Sequence, residues 1–148
     1  MRLQQWAANG WLRPHQTTRQ QIADLLAIVD RDLEDSLRDL SPDWQFGIAY
    51  NAALKLGTIL LYASGYRPEK NLAHYRTLQA LPLILGASRS NDADYLDACR
   101  AKRNTAEYDA AGTVSQSEAA ELREFTRELR IEVIDWLKAN HPSLIAAP

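Results

Sequence analysis

Between Arg100 and Asp109 the chain reads Arg-Ala-Lys-Arg-Asn-Thr-Ala-Glu-Tyr-Asp, with three cations, an amide, a phenol and two carboxylates in ten residues. These are the groups that phosphate chemistry uses. A guanidinium offers a planar fork to two phosphate oxygens, so Arg103 is the candidate that holds a phosphate. Arg100 and Lys102 add positive field, and Asn104 can donate to a phosphate or hold Arg103 in place. Metal-free cleavage of RNA by its own 2′-hydroxyl also requires a base. Tyr108 is the ionisable group in reach. A phenol with a pKa of about 10 is ionised in roughly one molecule per thousand at pH 7, which puts its base form on the order of 4 kcal/mol away unless cations lower that pKa. Tyr108 could instead donate to a leaving group or stack on a nucleobase.

The same spacing has a plain structural reading. Arg103 and Glu107 are four apart and share a helical face, which makes a surface ion pair. Residues five apart lie about 140° apart around a regular helix, so Arg103 and Tyr108 meet only if the helix breaks near Tyr108 or a second subunit completes the site. Two further candidates lie upstream. Lys55 sits on an otherwise apolar helix, where it either extends to solvent or points at a bound anion. His74 is either a proton carrier or a structural hydrogen-bonding group. Cys99, one residue before the motif, reads as a small core residue. The histidines, His15, His74 and His141, are far apart, and there is one cysteine, so no metal site and no cofactor are expected.

The elements that must position these groups are helical. A first long helix begins near Thr17 or Thr18, each followed three residues later by Gln in a capping-box spacing. Its inward face carries Ile22, Leu25, Leu26, Val29, Leu33, Leu37 and Leu40. Ser41-Pro42 ends it and starts a second helix over about 43–64, apolar on nearly every side. A helix of that kind is central or covered by a partner subunit. Asn51, Lys55, Thr58 and Tyr62 form one polar stripe along it, and Gly65 is a natural C-terminal cap. A third helix covers about 71–85 with Leu72, Tyr75, Leu78, Leu81 and Leu85 inward, kinked or restarted at Pro82. A fourth, capped by Ser90 or Asn91, carries the motif. A fifth starts from the Ser115/Glu118 capping box and ends at Pro142. Trp11 and Trp44 read as core or dimer contacts. No stretch alternates with period two for long enough to make a strand. The expected architecture is an all-α, antiparallel bundle of four to five helices over 17–142, with an N-terminal arm over 1–16 and a tail over 143–148.

Bulk properties narrow the function classes. The chain has 148 residues, one domain's worth, with 46% hydrophobic and 24% charged residues and a formal net charge of −2. A protein that coats nucleic acid nonspecifically is usually strongly basic, so any nucleic-acid contact here is a local basic site. The N-terminus lacks the apolar core of a signal peptide, and the longest apolar region is interrupted by Asn51, Lys55 and Thr58. A cytoplasmic protein without a membrane span is the expectation.

Two segments, "AYNAALKLGTILLYASGYRPEKNLAHYRTLQALP" and "CRAKRNTAEYD" before a last long amphipathic helix, resemble the HEPN family of helical bundles (higher eukaryotes and prokaryotes nucleotide-binding). The first is similar to the family's second helix, with Ala49, Ala52, Ala53, the terminal Gly65 and a downstream His74. The second is similar to the family's Arg-Asn motif at Arg103-Asn104. The resemblance spans roughly 17–142. It implies a homodimer with two motif segments meeting in a cleft, and binding of RNA or a nucleotide. It also implies, for many members, metal-independent ribonuclease activity as the toxin of a toxin–antitoxin pair with a nucleotidyltransferase partner. The chain departs from the family where a His is expected four to six residues after the Arg; it has Tyr108. The alternative is a non-catalytic interaction module, the partner or substrate-binding subunit of a nucleotidyltransferase, or a purely structural helical dimer.

Overall fold

The computed structural model describes residues 2–145; the end of the expected tail lies outside them. The fold is all-α, built around one central helix. Helix α2 (Arg19–Asp35) starts at Thr18, whose side chain accepts from the Gln21 amide. Helix α3 (Pro42–Ala63) starts at Ser41 in the same way, with proline in its first turn. It is closed by Gly65 at φ +93, a left-handed position that glycine takes without a Cβ penalty. Helix α7 (Gln116–Asn140) has the reciprocal Ser115/Glu118 capping box. The three helices share one core. Ile22, Val29 and Leu33 of α2, most of α3, and Leu122, Leu129, Val133 and Leu137 of α7 pack together.

The apolar circumference of α3 is therefore covered within a single chain. Beyond its first turn, Pro42 to Gln45, only Ile48 and the stripe Asn51, Lys55, Thr58 and Tyr62 keep partial exposure along the helix. An all-round apolar helix was one reason to expect a partner subunit; the chain's own helices already account for it.

Helix α2 stops five residues earlier than its periodicity suggests. Arg123 of α7 donates from Nη2 to the Ser36 carbonyl (2.8 Å) and from Nε to its hydroxyl (3.1 Å), while the Ser36 hydroxyl donates back to Leu33. These bonds satisfy the groups that otherwise propagate the helix. Leu37 and Leu40, expected inward, are consequently on the surface. The helix expected over 71–85 restarts at Pro82 and so is two, α4 (Ala73–Gln79) and α5 (Leu81–Leu85), because Pro82 has no amide to donate and its ring opposes the carbonyl of Leu78. Leu72, also expected inward, takes φ +56 ahead of α4 and is exposed.

The arm contains short helix α1 (Leu3–Ala8) and, contrary to expectation, a strand. β1 (Leu12–Pro14) pairs antiparallel with β2 (Tyr66–Pro68), Arg13 opposite Arg67. Three residues are too few for an alternating pattern to show in sequence. Trp6 and Leu12 bury against Leu61 and Ala80, and the Arg76 guanidinium of α4 lies 3.7 Å over the Trp11 ring. The arm is thus fastened to α3 and α4. One helix, α3, is long and apolar enough to cross a membrane, and 67% of its apolar window is buried inside the protein.

Candidate functional site

The Arg-Asn segment lies at the end of helix α6 (Ser90–Asn104), which continues directly into a π turn over Thr105–Asp109. The Ala110 amide donates to the Thr105 carbonyl at 2.9 Å, one residue wider than an α-helical bond. This turn meets within one chain the geometric condition that Arg103 and Tyr108 require. The Arg103 guanidinium carbon is 6.0 Å from the Tyr108 ring centroid and 5.8 Å from that of Tyr50 on α3. Both distances are at the outer edge of cation–π attraction, so the rings flank the guanidinium more than they bind it.

Gly47 of α3 faces this segment. A Cβ there would lie 3.3 Å from Glu107 Oε1 and 3.9 Å from Arg103 Cγ. The Arg103–Glu107 pair expected from the spacing is present, Nε to Oε1 at 3.2 Å, but the two atoms are not aligned for a hydrogen bond, and Nε is buried without an acceptor. Arg103 Nη1 donates to Asn104 Oδ1 at 3.0 Å, so Asn104 holds Arg103 in place. The guanidinium keeps donor capacity that its neighbours do not use.

Tyr50, fully buried, places its hydroxyl 3.3 Å from His74 Nδ1 of α4. Burial raises the Tyr50 pKa well above that of a free phenol, against the opposing fields of Arg100 and Arg103, so this hydroxyl stays protonated. His74 is exposed on its outer edge. Its inner side packs toward Tyr50, and that partial desolvation, followed by the fields of Arg103, Lys55 and Arg100, lowers its pKa. His74 is neutral at pH 7. Lys55 is half-buried and makes no ion pair or hydrogen bond among the described residues. Its stripe neighbour Asn51 donates to the buried Asp32 at 2.7 Å.

The structure thus brings Arg103, Asn104, Arg100, Lys55, His74 and Tyr108 to one region where α3, α4 and α6 meet. Arg100 is partly occupied, donating from Nε to Asp97 at 2.8 Å. Lys102 is not part of this group. It turns toward α7 and pairs with Glu118, whose pKa it and Ser115 hold down at about 2. Cys99 is buried beside Tyr95, and burial pushes its thiol up to about 11, consistent with a core role. Among the described residues no three His, Cys, Asp or Glu side chains gather as metal ligands.

Comparison of the chain with known protein families, with curated proteins and with solved structures finds no match. The functional reading therefore rests on the site itself. Two of its residues escaped sequence reasoning. Tyr50 lay inside an aliphatic helix; the available signal was that a buried tyrosine must find a partner for its hydroxyl. Gly47 carried no signal without the crossing helix.

Proposed function

We propose that the region where α3, α4 and α6 meet binds the phosphate of RNA or of a nucleotide, as the HEPN resemblance implies. The observation that supports this is Arg103 lying 5.8 Å from the Tyr50 ring, whose hydroxyl meets His74, with Arg100 and Lys55 adding positive field at that histidine. Three cations around a neutral histidine repel one another, and an anion relieves that repulsion. Arg103 takes two phosphate oxygens through its outer nitrogens, Lys55 supplies a point charge, and Asn104 fixes the fork.

In the catalytic form of this reading the protein is a metal-independent endoribonuclease, the toxin of a toxin–antitoxin pair. The base is then His74 rather than Tyr108. A neutral imidazole whose Nδ1–H donates to the Tyr50 hydroxyl oxygen keeps Nε2 unprotonated on the other side of the ring, and it accepts a proton far more readily at pH 7 than a phenol. Tyr108, 73% exposed, is free to stack on RNA. A homodimer, with a nucleotidyltransferase as antitoxin, completes the family pattern; sedimentation as a monomer at micromolar concentration would remove the dimer from it.

The second reading is a non-catalytic module that partners a nucleotidyltransferase. It is favoured by one observation: each motif cation has an acidic neighbour, Arg100 with Asp97, Lys102 with Glu118 and Arg103 with Glu107. An RNA cleavage assay with Arg103→Ala, His74→Ala and Tyr108→Phe separates the two. The ribonuclease reading expects loss in the first two and near-normal rate in the third. Binding of ribose 5-phosphate that is weakened by Arg103→Ala, without cleavage, supports the module. Binding unaffected by Arg103→Ala rejects the phosphate site.

A further inference from the structure

Glu107 has a second side. Opposite Arg103 it lines a pocket of about 360 Å³ between the start of α3 and the loop after the π turn, with Pro42, Trp44, Ala106 and Gly112 among its other walls. The loop is pinned there because Asp43 accepts from the amides of Gly112 (2.7 Å) and Val114 (3.3 Å). The pocket is therefore built into the fold, and the first turn of α3 forms its floor.

Trp44 is the unusual wall. It is 59% exposed on a helix whose neighbours Phe46, Gly47 and Ala49 are buried. Among the described residues its indole makes no aromatic pair and no cation–π contact, whereas Trp6, Trp11 and Trp136 each have one. An exposed, unpartnered indole is what stacking on a nucleobase uses, since every base has a π-face, and Glu107 joins this pocket to Arg103. The polar walls are Ser41, Asp43, which is engaged with the loop amides, and Glu107, whose carboxylate can accept from the amino or ring N–H of a base.

We infer that the Trp44 pocket seats the nucleobase of the same nucleotide whose phosphate lies on Arg103, with the Trp44 indole as stacking platform and Glu107 as the wall shared by the two sites. This rests on the phosphate reading for its second half. The base site stands on the pocket alone. The class of ligand is a nucleoside phosphate, free or within RNA.

The test compares AMP, ribose 5-phosphate and adenosine on the wild type, Trp44→Ala, Trp44→Phe and Arg103→Ala. Affinities come from calorimetry, with ligand-observed NMR for adenosine. The wild type should bind AMP about tenfold or more tighter than ribose 5-phosphate, the usual worth of one stacked base. Trp44→Ala should erase that advantage and leave ribose 5-phosphate unchanged, and Trp44→Phe should keep most of it. Arg103→Ala should weaken both phosphates and leave adenosine unchanged. If AMP and adenosine bind equally and both depend on Trp44, the base site holds and the phosphate reading fails. If AMP keeps its advantage in Trp44→Ala, or never has one and adenosine binding does not depend on Trp44, the base site is overturned. It is equally overturned if Trp44→Ala changes only the sedimentation of the protein, which would make Trp44 a contact between chains.

Discussion

Substituting Gly57 by alanine should shift helix α4, and with it His74, away from the site. A Cβ at Gly57 would lie 3.0 Å from Thr77 Cγ2 and 3.4 Å from the Thr77 carbonyl oxygen. Thr77 cannot swing aside easily. It is buried, and its hydroxyl donates to the Ala73 carbonyl at 2.7 Å, which fixes the rotamer that aims the methyl at α3. Overpacking of this kind costs about 1–3 kcal/mol. Replacing glycine by alanine within a helix returns about 1 kcal/mol, so the net loss should be about 1 kcal/mol. Thr77→Ser alone removes one buried methyl and should cost about 0.8 kcal/mol. In the double variant the obstruction is gone and the helix gain remains, so the pair should be near wild type, with a coupling of about 2 kcal/mol. Urea unfolding of the four proteins measures this. His74 ring chemical shifts in Gly57→Ala should also move as the 3.3 Å contact with Tyr50 opens. Single effects that add to within about 0.5 kcal/mol would refute the close-packing argument.

Three further outcomes follow from the same geometry. Glu107→Gln frees the Arg103 guanidinium of its neighbouring charge and should tighten ribose 5-phosphate binding several-fold, roughly 1 kcal/mol, measured by calorimetry; weaker binding would mean that Glu107 organises Arg103 for the ligand. Ser115→Ala removes the hydroxyl that accepts from the Glu118 amide at 3.1 Å and should cost about 1 kcal/mol in urea unfolding, with α7 otherwise intact by circular dichroism. Because the folded pKa of His74 lies below the unfolded value of about 6.5, the unfolded chain binds the proton first as pH falls. His74 therefore has no effect on stability well above that value, and it destabilises progressively as pH drops from there through the folded pKa. The drop in urea midpoint between neutral and mildly acidic pH should be smaller in His74→Gln than in wild type; an equal drop would contradict the lowering of the His74 pKa by its burial and by the neighbouring cations.

The helices were legible where one chain segment carries its own signal. The caps at Thr18, Ser41 and Ser115 and the stop at Pro142 depend on residues three or four apart, and each is where its spacing puts it. Leu37 and Leu40 failed because the end of α2 is decided by Arg123, 87 residues from Ser36. The strand pair failed because it is three residues long. Trp44, expected in the core or in a dimer contact, is not in the core of the chain, since the turn of α3 that bears it faces outward beside the π turn. In the site, the Arg103–Glu107 pair and the Asn104 contact follow from spacing along one helix. The nearness of Tyr108 depends on a π turn that no composition rule marks, and Tyr50 reaches His74 only through the packing of α3 on α4.

The most direct test of the phosphate site is the titration of His74 itself by NMR, with and without ribose 5-phosphate, in wild type and Arg103→Ala. An anion set among Arg103, Lys55 and Arg100 must offset the fields that lower the pKa of this imidazole. The pKa of His74 should rise when the ligand binds, and the rise should be lost or much reduced in Arg103→Ala. A His74 titration that ribose 5-phosphate leaves unmoved at saturating concentration would contradict the account.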